Sequence, residues 1–145
     1  MTDAPQPASV TVVEAGIDPA RGTGRYTQEI VARGHDLLSD EPRDNGGDDQ
    51  GPGPFDLVLA GLGSCTSMTV RMYADRKQWP LERIEVALSH RRETVDGEGI
   101  TRIDRAVRLI GDLDVEQRER LLEIANRCPV HRALSGTIAI DTREV

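Results

Sequence analysis

Two cysteines are all that the 145-residue chain has. A disulfide-stapled scaffold is therefore excluded, and the pair is either inert core material or a reactive pair. Aromatic residues make up only 3%, with one Trp, two Tyr and one Phe, too few for base-stacking platforms. No apolar run approaches the ~20 residues that a membrane-spanning helix needs. The opening MTDAPQPASV has no basic region followed by an apolar block. It does not read as a secretory signal, and the expected location is cytoplasmic. Positive charge is in deficit, with 18 basic against 25 acidic residues and a net charge of -7 at pH 7. Such a field repels a phosphate backbone, so nucleic acid is not an expected partner, and without a spanning run neither is a membrane.

What is present is enough chain for one core, with no internal repeat and no second composition regime, so residues 1–145 read as a single domain. Residues 1–8 are polar, contain proline and are expected to fray. Val10 to Glu14 is β-branched and predicts a strand. Arg25 to Ala32 and His35 to Ser39 predict two more, with a turn at Gly34. Asp40 to Pro54, rich in Gly, Pro and Asp, predicts a long loop whose acidic side chains stay solvated. Phe55 to Lys77 is the clearest helix. Pro54 suits its start, and Leu57, Ala60, Gly61, Ser64, Cys65, Met68 and Met72 fall on one stripe. Gly61 and Gly63 each cost such a helix about 1 kcal/mol relative to Ala. They imply that a sheet, or the same helix of a second subunit, packs close to the backbone.

Alternating Ile84, Val86 and Leu88 predict a strand over Leu81 to Thr94, and the following Asp-Gly turn predicts a hairpin returning over Ile100 to Gly111. Asp114 with Gln117 has capping-box spacing ahead of a helix over Val115 to Asn126. Thr137 to Thr142 alternates and predicts a closing strand. Strands and helices segregated in this way argue for the α+β class.

Cys65 lies among Gly63, Ser64, Thr66 and Ser67, a small and polar setting rather than a Leu/Ile-rich one. Cys128 follows the second helix and precedes Pro129, which should stop that helix and leave the thiol at an element end. These settings suit a reactive pair better than two fillers. Cys128-x-x-His131 is half a zinc motif, but four ligands would require Cys65 and His35 or His90 to converge from distant positions. No metal and no cofactor is expected, and the Cys-x-x-Cys of dithiol oxidoreductases is absent.

Three segments, DEP…GG, GPGPFDLVLAGLGSCTSMTVRMYADRKQWPLE and ANRCPVHRAL, together resemble the OsmC/Ohr family of thiol-dependent proteins. The resemblance runs from about Arg25 to the C-terminal strand. It implies an OsmC-like α+β fold, an intertwined homodimer whose central helices pack against curved antiparallel sheets. It also implies that Cys65 is the reactive cysteine and Cys128, of the family's CP motif, the resolving one. The organic hydroperoxide resistance branch places Glu directly after the helix-starting Pro. Here Phe55 stands there and the carboxylate follows at Asp56, which resembles another branch.

The expected chemistry is attack of the Cys65 thiolate on a hydroperoxide, giving a sulfenic acid that Cys128 resolves to a disulfide. A small or protein dithiol then reduces the pair. Arg25, or second Arg21, would hold the developing negative charge. Asp56 would orient that Arg or simply favour the helix N-terminus. Phe55, Leu62 and Met68 offer an apolar wall, or plain core packing. Two other functions fit the same residues: a non-catalytic binding module for an apolar ligand, and a thiol redox sensor.

Overall fold

The computed structural model describes residues 8–145. Apart from Ala8, the segment expected to fray lies outside the described residues. The chain forms two compact units, Met1–Val58 and Leu59–Val145, with one long helix running through their boundary.

The first unit is an antiparallel sheet of three strands, β1 (Val10–Glu14), β2 (Gln28–Ala32) and β3 (His35–Ser39), with β2 in the centre. β1 and β3 match the sequence reading. β2 begins three residues later than expected, because Arg25 and Tyr26 sit in a turn closed by the Thr27 N–H on the Gly24 carbonyl. The Gly/Pro/Asp-rich stretch after β3 is a cross-tied loop with one 3₁₀ turn at Arg43–Asn45. The Asp40 N–H reaches the Pro52 carbonyl and the Asp49 N–H reaches the Glu41 carbonyl, so both arms of the loop are bonded to each other.

The expectation that this loop's acidic residues stay solvated fails at Asp40, which is 2% exposed. Its Oδ2 accepts from the Thr27 hydroxyl and the Gln50 N–H, and its Oδ1 from the Glu41 N–H. A buried carboxylate with that many donors no longer needs water. Burial pushes its carboxyl up. The Thr27 hydroxyl and the Glu41, Gln50 and Asp48 N–H groups outweigh burial, so the net position is below the ordinary 3.8.

The second unit starts within helix α1 (Pro54–Lys77), continues into the hairpin β4 (Leu81–Val95) and β5 (Glu98–Gly111), and then adds helices α2 (Val115–Ala125) and α3 (Pro129–Ser135). The hairpin turns at Asp96 and Gly97, whose φ values are +50° and +81°. Both residues are in the left-handed region that a tight two-residue hairpin turn demands, the reason for the Asp-Gly pair. The capping box forms as read: Asp114 accepts from the Gln117 N–H, and the Gln117 side chain accepts from the Asp114 N–H. Val70, Ala74, Leu81, Leu109, Leu113, Leu121 and Ile124 make the core, with Tyr73 and Trp79 packed at its edge.

Two expectations are corrected here. Pro129 does not merely end α2; it opens α3, which the sequence reading omitted. Its fixed φ and missing N–H are compatible with a first helical position. Thr137 to Thr142 is not a strand. Alternation supplies a face but not a pairing partner, and no strand among the described residues bonds to this segment. Ile138 and Ile140 stay 55% and 84% exposed.

Along α1 the buried residues of the second unit are Leu59, Leu62, Gly63, Thr66, Val70 and Ala74. The two small-residue positions thus divide. A Cβ at Gly63 would stand 2.9 Å from Leu88 Cδ1 of β4, so that glycine admits the sheet. A Cβ at Gly61 would meet nothing within 4 Å. Met68 and Met72, from the stripe containing Gly61, are 61% and 65% exposed.

Candidate functional site

The site of the second unit is built where α1, β5 and the α2–α3 junction meet. Cys65 is half-buried on α1, and Cys128 is fully buried between α2 and α3; both are free thiols. Pro129 fixes the chain direction after Cys128 and makes it the N-cap of α3, with extended backbone at φ -64° and ψ 142°. The His131 N–H donates to Cys128 Sγ at 3.2 Å. On the other side of the sulfur lies Thr66, whose Oγ1 is 3.9 Å from Sγ although 62 positions away in sequence. The fold therefore brings Cys128 against the turn of α1 that carries Cys65.

Arg105 ties this junction together. The inward row of β5 runs Ile103, Arg105, Val107, Leu109, so a guanidinium stands where an apolar side chain would be expected. Its Nη1 donates to Thr66 Oγ1 at 2.9 Å and to the Ala125 carbonyl at 3.4 Å. Its Nη2 donates to Asn126 Oδ1 at 2.7 Å and meets His131 Nδ1 at 3.2 Å. A guanidinium can only donate, so His131 Nδ1 accepts and the imidazole is neutral, with its proton on Nε2. Burial first, and the Arg105 charge second, hold His131 below its ordinary 6.5. A cavity of about 430 Å³ opens beside this cluster, lined by Leu62, Ile103, Arg105, Asn126, His131 and Leu134 among others.

A pH dependence follows from that arrangement. Because the folded-state value of His131 is depressed, the unfolded chain takes up the proton first as pH falls from 6.5. The contribution of the neutral imidazole is present above that value and is lost as pH drops through the folded one. Thermal midpoints measured over about pH 5–8 should fall on the acid side, and His131→Gln, which keeps an acceptor without a titration, should flatten the fall.

Of the remaining residues singled out from sequence, Asp56, Arg21, Arg25 and Phe55 belong to the first unit, and Leu62 and Met68 to the second. Asp56 Oδ2 accepts from the Gly53 N–H at 2.9 Å, and Asp56 makes no ion pair with an Arg among the described residues. Arg21 is paired with Glu29, whose hydrogen bond and charge raise the already high value of its guanidinium. Arg25 is exposed in its turn, and its side chain makes no hydrogen bond or ion pair among the described residues. Phe55 and Met68 are exposed and Leu62 is buried. Among the described residues no three His, Cys, Asp or Glu side chains gather to hold a metal ion. No helix there is long and apolar enough to cross a membrane. Sequence reasoning missed Thr66, Arg105 and Asn126 and gave His131 no role beyond half a zinc motif. The legible signal was Arg105, a charge in the apolar row of an alternating strand.

A long helix bearing one accessible thiol, with a second thiol brought to it by a Pro-started turn, defines an α+β thiol protein. Comparison with known proteins narrows the class. The OsmC-like protein family matches residues 46–143, more than half of the chain, and the chain belongs to that family. No curated protein matches it in sequence. Its fold is similar to a Psychrobacter arcticus protein named for osmotic stress induction and detoxification response, with a TM-score of 0.72 and 16% identity, covering 90% of each chain. It is similar to an OsmC-like protein from Mycoplasma pneumoniae, with a TM-score of 0.69 and 20% identity, over 88% of this chain and 86% of that one. The organic hydroperoxide resistance protein of Bacillus subtilis matches with a TM-score of 0.59 and 22% identity, over 88% of this chain and 89% of that one.

Proposed function

We propose that this chain, acting as one OsmC-like domain in a cytoplasmic homodimer, reduces organic hydroperoxides in defence against oxidative stress. The observation that carries the reading is the placement of Cys128 against Thr66, one residue beyond Cys65, with Cys65 half-exposed and Cys128 at 0% exposure. That inequality suits a two-step cycle. The accessible Cys65 thiolate attacks the terminal oxygen, an alcohol leaves, and Cys65 becomes a sulfenic acid. The sheltered Cys128 meets peroxide poorly; packed against Thr66, the neighbour of Cys65 in sequence, it is the candidate to condense with the sulfenic acid, releasing water. A small or protein dithiol returns both thiols to the reduced state. The naming of the Bacillus subtilis relative for organic hydroperoxide resistance supports the substrate class.

Arg25 and Asp56 complete the proposal. With Arg21 already paired to Glu29, Arg25 is the better candidate to hold the developing negative charge. Asp56 uses only Oδ2 on the Gly53 N–H, which leaves Oδ1 to orient that guanidinium. Arg25→Ala should lower the rate of sulfenic acid formation without changing the fate of the sulfenic acid once formed. Stopped-flow measurement of the first oxidation phase tests this.

The homodimer is supported by what the single chain leaves uncovered. Gly61, Met68 and Met72 form an open strip on α1, and Ile138 and Ile140 are exposed on the segment after α3, which pairs with no strand among the described residues. Sedimentation at micromolar concentration should give twice the 15.9 kDa chain mass. Gly61→Arg, which puts a charge on the open strip, should shift the equilibrium to monomer. A folded wild-type monomer would contradict the dimeric reading.

A further inference from the structure

We propose that Arg105, acting through Thr66 and His131, is a positioning residue for the resolving thiol, so that it governs disulfide formation rather than the first oxidation. The inference rests on the two-cysteine reading above. Its starting point is proton bookkeeping at Thr66. The Thr66 hydroxyl has one proton, and it is donated to the Leu62 carbonyl at 2.7 Å. Its oxygen accepts from Arg105 Nη1. Toward Cys128 it can therefore only accept again, so the Cys128 S–H is the donor across the 3.9 Å contact. The sulfur's own lone pairs face the His131 N–H. The thiol is thus held in one rotamer, with its proton aimed at α1 and its sulfur at the end of α3.

Arg105 is what keeps those two supports in place. It binds Thr66 on one side of Cys128 and Ala125, Asn126 and His131 on the other, spanning three helical elements from one strand. None of these partners is a carboxylate. Its positive charge is therefore not cancelled by its own ligands and remains to favour the anion that Cys128 becomes as it reacts. In that step the Cys128 sulfur bonds the Cys65 sulfur and the Cys65 S–O bond breaks. The departing hydroxide carries the Cys128 proton away as water. The cavity beside Arg105, Asn126 and His131 leaves the segment carrying Cys128 room for the shift that closing an S–S bond requires. Cys65 is not among the groups Arg105 touches, so attack on the hydroperoxide does not depend on it.

The test is a rapid-quench experiment on the reduced full-length protein with one equivalent of cumene hydroperoxide. It resolves two phases: Cys65 sulfenic acid trapped with dimedone, and disulfide measured by mass. Arg105→Lys keeps the charge but loses the fork, and Thr66→Val keeps the shape but loses the hydroxyl. Each should leave the first phase within about twofold of wild type and slow the second by about tenfold or more, the loss expected for a hydrogen bond to a charged group. With excess peroxide both variants should accumulate Cys65 sulfinic acid, and Thr66→Ser should restore resolution. Unchanged disulfide formation in either variant that folds overturns the inference, and so does an equal loss of both phases, which would mark Arg105 as general support. If wild type itself forms no Cys65–Cys128 disulfide, the two-cysteine reading has failed instead, and that control is read without any variant.

Discussion

Cys65→Ser should lower hydroperoxide consumption by about 10³-fold or more, the scale of loss expected when a nucleophile is removed. Serine keeps the size of the side chain on α1, and the core lies on residues such as Val70, Ala74 and Leu121, so folding should be unaffected. Cys128→Ser should behave differently. Its first turnover should proceed at the wild-type rate and stop at a sulfenic acid, because the buried partner that condenses with it is gone. Consumption assays with cumene and tert-butyl hydroperoxides, using a dithiol as reductant, separate the two variants. Wild-type turnover by Cys65→Ser would remove the nucleophile from the account. Stoichiometric oxidation without turnover in wild type would favour the sensor function instead.

Asp40→Ala should destabilise the first unit on the order of 3 kcal/mol, since it leaves the Thr27 hydroxyl and the Glu41 and Gln50 N–H groups without their acceptor. The effect depends on pH with a definite sign. The Asp40 carboxyl lies below its ordinary 3.8 when folded, so its contribution is complete above that value and disappears as pH falls through the depressed one. Urea unfolding should therefore separate wild type from Asp40→Ala at neutral pH, and the gap should narrow in acid. A difference that persists unchanged in acid would mean that the Asp40 contribution does not depend on its ionisation.

Local rules made much of this fold legible. β1 and β3 follow β-branched and apolar runs, α2 follows its capping box, and the β4–β5 turn follows the Asp-Gly pair. The failures share a cause: each depends on what lies across space. Thr137 to Thr142 has the alternation of a strand but no partner edge among the described residues. Asp40 looks like a solvated loop acid until the Thr27 hydroxyl and the cross-tied loop close over it. Pro129 has the local signature of a terminator, and only the geometry after Cys128 shows it as the start of α3. The thiols themselves were found from residue type and the resemblance. Thr66 and Asn126 were not, because nothing local marks a threonine or an asparagine as the partner of an arginine on a distant strand.

The central claim is that Cys65 and Cys128 form one redox pair, and peptide mapping by mass spectrometry tests it most directly. Reduced wild-type protein would be mixed with one equivalent of an organic hydroperoxide, quenched by alkylation and digested without reduction. The account predicts one cross-linked species joining the Cys65 and Cys128 peptides of the same chain, with both free thiols consumed together and regained on adding a dithiol. Recovery of both peptides alkylated as free thiols, or a disulfide that joins Cys65 only to Cys65 of another chain, would contradict it.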